Sequence, residues 1–152
     1  MIAFSSASRR SNSRYRRCPM KLGNAVVYVE NVPETMQFYE KAFGLKSLFM
    51  HPSNQYGELA TGDTVLAFIA ESMLQGMKIL GDLDYRRNRP AEAPIGSHVA
   101  FFTENVERDY KHAVAAGAVG VAAPAVKPWG TIAFVRDNNG FLVELLTPPA
   151  PR

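Results

Sequence analysis

The sequence predicts an α+β fold built from two repeated βαβββ modules that form a curved, cup-like mixed sheet with its helices on the outside. The stretch NAVVYVENV, Asn24 to Val32, returns seventy-four residues later as HVAFFTENV, His98 to Val106, with the same alternation and the same Glu-Asn-Val ending. Each copy leads into helix-spaced apolar positions and then into three short apolar runs divided by turn residues. A repeat of this size marks duplicated supersecondary units. One four-stranded unit with a single helix leaves a sheet face half covered, so two units are expected to combine around a concave inner face.

Asn24 to Glu30 alternates β-branched and aromatic residues and reads as a strand. Asn31 is placed as the N-cap of the following helix, with Pro33 in its first turn and Glu34 at the capping-box position. Val32, Met36, Tyr39 and Phe43 follow at helical spacing, and Gly44 stands where a left-handed C′ residue ends a helix. Lys46 to Met50, Tyr56 to Thr61 and Thr64 to Ala70 are three further strands, with a Gly62-Asp63 turn between the last two. From Glu71 to Pro94 the pattern blurs into one or two helical turns and an Arg-, Pro- and Ala-rich stretch. The second copy runs from the strand His98 to Thr103 through a helix capped by Asn105 and ended near Ala116-Gly117-Ala118. The strands Val119 to Val126, Thr131 to Val135 and Phe141 to Thr147 complete it, with turns at Lys127-Pro128-Trp129-Gly130 and Asp137-Asn138-Asn139-Gly140. This divides the chain into a basic tail (1–20), module one (21–72), a linker or flap (73–95) and module two (96–149), the modules together making one domain.

The net charge of +3 is carried by the tail, whose first twenty residues hold five arginines and no acidic residue. The remainder has twelve basic and fourteen acidic residues, a mildly acidic body. The tail reads as sequence in front of a start at Met20, as an organellar targeting peptide, or as a nucleic-acid-binding arm; specific nucleic-acid recognition is not expected from five charges without a folded platform. No apolar run approaches the roughly 20 residues of a membrane helix, so no membrane partner is expected. Cys18, the single cysteine, also lies in the tail. A lone thiol builds neither a disulfide framework nor a thiolate metal site, and the body suits a reducing compartment such as the cytoplasm.

The two βαβββ modules, the capped segment VENVPETMQFYEKAFGL and the closing KPWGTIAFVRDNNGFLVELLTP resemble the vicinal oxygen chelate superfamily over about residues 21 to 149. That superfamily includes glyoxalase I, bleomycin-resistance proteins, fosfomycin-resistance thiol transferases and extradiol dioxygenases. The resemblance implies a homodimer, with modules paired within a chain or swapped between chains. It also implies one divalent metal ion (Zn, Ni, Mn or Fe) held at the start of the first strand and late in the fourth strand of each module. Carried over by position, module two supplies His98 and Glu144, the expected ligand types, while module one supplies Asn24 and Ala67. Ala67 has no donor atom, and an Asn24 amide is weak for zinc or nickel, so the site implied is incomplete.

Glu144 lies inside the apolar run FLVELLTP, where an unpaired carboxylate is costly, which marks it as a ligand, a general base or a group that binds the guest. His98 has three readings: a metal ligand, a substrate contact or a hydrogen-bonded, half-exposed histidine. Strand alternation puts Asn24, Val26 and Tyr28 on one face and His98, Ala100 and Phe102 on the other module's equivalent face. Asn24, Tyr28 and Phe102 therefore become candidate walls of the cup, with Val27, Val29, Val99 and Phe101 beneath the helices. Glu58 is the substitute carboxylate if it faces the cup, and Trp129 is either a pocket wall or a structural plug. His51 and His112 read as surface residues, and Asp137 as the cap of its own turn. The leading expectation is a binder that holds a small amphipathic or cationic molecule in an aromatic cup without catalysis. The alternatives are a metal-dependent lyase, isomerase or dioxygenase of the glyoxalase I type using His98 and Glu144, and a metal-free enzyme with Glu144 as base.

Overall fold

A computed structural model describes residues 20–149. The order of elements is β1 (Asn24–Val29), α1 (Val32–Phe43), β2 (Lys46–Met50), β3 (Tyr56–Ala60), β4 (Val65–Ala70), α2 (Glu71–Gly76), β5 (His98–Phe102), α3 (Val106–Ala115), β6 (Val119–Lys127), β7 (Gly130–Arg136) and β8 (Leu142–Leu146). The readings that fell on the tail, including Cys18, lie outside the described residues.

Local chemistry starts and stops the long helices where the sequence placed their signals. The Asn31 side chain accepts a hydrogen bond from the Glu34 amide at 3.0 Å, and Asn105 does the same for Arg108 at 2.9 Å. Each cap satisfies an amide that the first helical turn leaves without a partner. Gly44 closes α1 in the left-handed region at φ 68° and returns its amide to the Glu40 carbonyl.

β1 pairs with β4 in parallel, and β4-β3-β2 continues antiparallel; β5-β8-β7-β6 repeats the order in module two. The expected α+β fold of two βαβββ modules is present, its strands arranged in two four-stranded sheets with no ladder between β1 and β5 among the described residues. The helices pack outside. Val27, Val29, Leu59, Leu66 and Phe68 of the first sheet lie buried under α1, and a Cβ on Gly57 would come within 3.1 Å of Val32 and 3.2 Å of Met36. A larger residue there would need the Val32 and Met36 side chains to shift by a few tenths of an ångström, so the glycine suits the close approach of α1 to β3. Burying side chains of this size contributes about 1.5–3 kcal/mol each.

α1 also joins the two halves. The ring of Tyr39 stands 4.9 Å from that of Phe68 in β4 and 6.4 Å from that of Phe101 in β5, while Phe43 and Phe101 lie 5.4 Å apart. The Tyr39 hydroxyl donates to Asp137 Oδ2 at 2.8 Å. Asp137 Oδ1 accepts the Asn139 and Phe141 amides, as expected of a residue capping its own turn. It does more than that, being almost fully buried and tied across the modules to Tyr39.

The connecting segment is strapped down by two arginines. Arg89 forms a two-pronged ion pair with the nearly buried Glu71 at 2.9 and 2.8 Å and reaches Glu30 at 3.3 Å. Arg136 donates to the carbonyls of Arg89, Pro90, Glu92 and Gly140. These bonds fix the segment against both modules.

Candidate functional site

Register decides which side chains share the open face. In module two, Glu144 stands opposite Ala100 on one side and Phe134 on the other, and His98 is two residues from Ala100 along β5. His98, Ala100, Phe102, Glu144 and Phe134 therefore point away from the helices together. The His98 Nε2 and Glu144 Oε2 atoms meet at 3.1 Å, and the Phe134 ring stands edge-on to the imidazole at 5.5 Å. The Glu144 side chain is 13 % exposed and that of His98 42 %. Glu144 is thus a paired, half-shielded carboxylate on the face of β8 that stays open to solvent.

Module one places Val26, Ala67 and Glu58 at the matching positions across β1, β4 and β3. Glu58 faces the open side, and its carboxylate accepts the Tyr56 hydroxyl at 2.7 Å. Loss of solvation, and then the Glu58 bond and charge, push the Tyr56 phenol up to about 12. Ala67 has no exposed surface. Asn24 is exposed at the head of β1, and Tyr28, on the same face, carries the Tyr85 ring edge-on at 5.0 Å. Phe102 is 63 % exposed, and Trp129 is 64 % exposed at the tip of the β6-β7 hairpin, away from the buried core. His51 and His112 are exposed; His51 bonds Ser53, and His112 bonds the Lys41 carbonyl.

The structure therefore brings His98 and Glu144 into direct contact and places Glu58 on the corresponding face of module one. Sequence reasoning missed three participants. Phe134 and Tyr56 were recoverable from strand alternation around Glu144 and Glu58. Tyr85 was not, since its place over Tyr28 depends on the path of an irregular segment.

Residues 21–145 match the sequence pattern of the Glyoxalase/Bleomycin resistance protein/Dioxygenase superfamily. The chain belongs to that superfamily. A comparison with curated proteins finds no match. Among solved structures, a glyoxalase/bleomycin resistance protein/dioxygenase family enzyme from Burkholderia phytofirmans PsJN is similar with a TM-score of 0.70 and 18% identity, over 84% of this chain and 98% of that one. A glyoxalase-related enzyme from Fulvimarina pelagi follows with a TM-score of 0.67 and 17% identity, covering 84% and 88%. A glyoxalase/bleomycin resistance protein/dioxygenase from Nocardioides has a TM-score of 0.65 and 15% identity, covering 92% and 93%. At these identities the likeness speaks for the fold.

Members of this superfamily often bind a divalent metal, so the donor set can be tested for fit. Among the described residues no three His, Cys, Asp or Glu side chains converge. His98 and Glu144 supply two donors, Ala67 supplies none, and the Glu58 carboxylate is engaged by Tyr56. A catalytic zinc site takes about three protein ligands with an open position. The donors that the described residues bring together do not fit such a site.

Proposed function

We propose that this superfamily member binds a small organic molecule, amphipathic or cationic, on its open aromatic face and holds it without catalysis. The observation that carries this reading is the contrast between equivalent positions. Glu144, paired with His98 beside Phe134, presents a carboxylate on that face where module one presents Ala67. A half-shielded carboxylate among aromatic rings attracts a cationic head by charge and its apolar body by stacking and burial. Glu58 offers a second acceptor on the module-one face, and the mildly acidic body favours cationic guests over anionic ones.

Titration with benzyltrimethylammonium and with benzoate, followed by thermal shift and calorimetry, tests the reading. The cation is expected to bind and raise the melting temperature while the anion does neither; equal response to both, or to neither, would sink it. The pairing of His98 with Glu144 also supports a second reading, in which the two form an acid-base pair acting on a bound substrate or serve as the start of a metal site. Elemental analysis after expression with added nickel, zinc, manganese and iron separates these, since about one ion per chain that disappears in Glu144→Ala would replace the binder reading with the metal-dependent one.

The same reading takes the protein as a homodimer in the cytoplasm. The outer edge strands support an assembly, since Leu48 and Phe49 of β2 and Val119, Val121 and Val126 of β6 are exposed. Light scattering on a size-exclusion column checks it, with a monomer mass as the contrary result.

A further inference from the structure

A cavity of about 220 Å³ lies between the free edge of β1 and the connecting segment. Val26, Tyr28, Ile95 and Phe141 give it apolar and aromatic walls, and Tyr85 and Asn88 contribute polar ones. Asn88 is only 7 % exposed, and its Oδ1 atom has no hydrogen-bond partner; the Tyr85 hydroxyl is likewise buried and unpartnered. Buried side-chain oxygens of this kind are uncommon in folded proteins, because each gives up its hydrogen bonds to water and gains none in return. Among the described residues these are the two buried side-chain polar atoms without a partner, and both belong to residues lining this cavity. Tyr85 also borders a second hollow, toward Leu74 and Arg87, so Asn88 is the residue committed to this one.

Backbone groups add to the polar wall. Val65 donates to the Gly23 carbonyl at 3.5 Å at the start of the parallel β1-β4 ladder. Alternate residues of a strand turn their backbone groups to opposite sides, so Val26 and Tyr28 present theirs on the free edge of β1, where no backbone partner meets them among the described residues. The rim is positive: Arg86 borders the cavity, and the Arg87 guanidinium stands 5.0 Å from the Tyr85 ring.

Size, charge and hydrogen-bonding pattern together select the guest. An apolar cavity of about 150 Å³ accepts a benzene ring, so the volume here adds room for one small polar group. The Asn88 oxygen calls for a guest N–H, and the Tyr85 hydroxyl can donate to a guest carbonyl. The arginines disfavour a cation, and a carboxylate has no proton to give the Asn88 oxygen. A carboxamide carries N–H and C=O in one plane, and it is also the group that pairs with a strand edge.

We propose that this cavity is a second binding site, for a small neutral aromatic carboxamide, with its N–H on Asn88 Oδ1, its carbonyl on the Tyr85 hydroxyl and its ring against Tyr28 and Phe141. The connecting segment is then a binding wall as well as a linker. This goes beyond the reading of the open face and stands without it, since that face selects a cation through Glu144 and this cavity a neutral guest through Asn88.

Titration of the full chain with benzamide, followed by amide chemical shifts, tests the assignment. Saturable shifts are expected at Val26, Tyr28, Asn88 and Ser97. Asn88→Leu should weaken binding about tenfold and Tyr85→Phe roughly threefold, while neither lowers the melting temperature, because each removes an atom that the fold itself leaves without a partner. Toluene, the same ring size without the amide, should bind at least about tenfold more weakly than benzamide. Absence of saturable shifts overturns the proposal, as does equal benzamide affinity in the wild type and Asn88→Leu, or equal binding of toluene. So do shifts centred on Phe134 and Glu144, which would move the guest to the open face. A lower melting temperature in both variants without benzamide binding would likewise overturn it, assigning the two atoms to enclosed water.

Discussion

Across module one, Val26, Ala67 and Glu58 stand in a row on the open face; across module two, Ala100, Glu144 and Phe134 occupy the same row. The repeat preserves backbone register and exchanges chemistry. In module one the carboxylate sits on β3 and is held by a tyrosine of its own strand, while in module two it sits on β8 and is held by a histidine from β5. The helix sides differ as well. Phe68 of β4 belongs to the larger core cluster, its ring against Tyr39, whereas the matching Leu145 of β8 sits in a smaller cluster with Val106 and Ala133, flanked by the partly buried Phe43, Phe101 and Tyr110. The difference teaches that duplication fixed the scaffold and left each face free to diverge, with module one bearing more of the core and module two the polar pair of the site.

The largest test of this contrast is in the core. Phe68→Ala is expected to cost about 4 kcal/mol and Leu145→Ala about 3 kcal/mol. Urea unfolding measures both, and a larger loss for Leu145→Ala would invert the assignment of the core.

On the open faces, Glu144→Ala is expected to weaken binding of an aromatic quaternary ammonium probe by about tenfold or more, from loss of a half-shielded charge. Glu58→Ala, whose carboxylate is already occupied by Tyr56, should weaken it by roughly threefold. Calorimetry decides, and equal losses would remove the distinction between the modules. Smaller still is the effect on Tyr56 ionisation. Ultraviolet titration should place its phenol at about 12 in the wild type, and Glu58→Gln, which keeps an acceptor oxygen but removes the carboxylate charge, should bring it down. No change in that variant would break the assignment of Tyr56 to Glu58.

The smallest expected effect compares two aspartates. Burial raises the Asp137 carboxyl above its ordinary range, so the folded state holds its proton more tightly than the unfolded chain. Its contribution to stability falls as pH rises from about 4 through the raised value. Asp109 is lowered by its hydrogen bond from Arg108, with Thr103 and the Arg108 charge adding to it against the cost of burial. Its contribution is present above about 4 and is lost as pH falls through the lowered value. Melting temperatures between pH 3 and 7 should therefore change slope in opposite directions for Asp137→Asn and Asp109→Asn. Parallel changes would show that one of the two environments is wrongly assigned.

Much of this was legible in the residues. Asn31 and Asn105 announced two helix starts because an N-cap is a local bond between a side chain and an amide three positions on. Alternation sorted Val27 and Val29 inward from Asn24, Val26 and Tyr28, since a strand's faces follow from its period of two. The contact between His98 and Glu144 was reached only through resemblance, because forty-six residues separate them and parallel pairing of β5 with β8 sets the distance. The grip of Arg136 on the connecting segment had no local signal, as its partners are backbone carbonyls that any sequence supplies.

By itself, then, the sequence determined the two modules, their helix caps, the inward and outward faces of the strands, and the absence of a donor at Ala67, all of which follow from period, short-range bonding and side-chain chemistry. Tertiary structure alone decided that β1 and β5 remain separate edges, that Glu58 is taken up by Tyr56, that Tyr85 covers Tyr28 while Phe102 stays open, and that Asp137 is buried against Tyr39. Each of these depends on distances between segments far apart in the chain, which packing sets and local pattern does not encode.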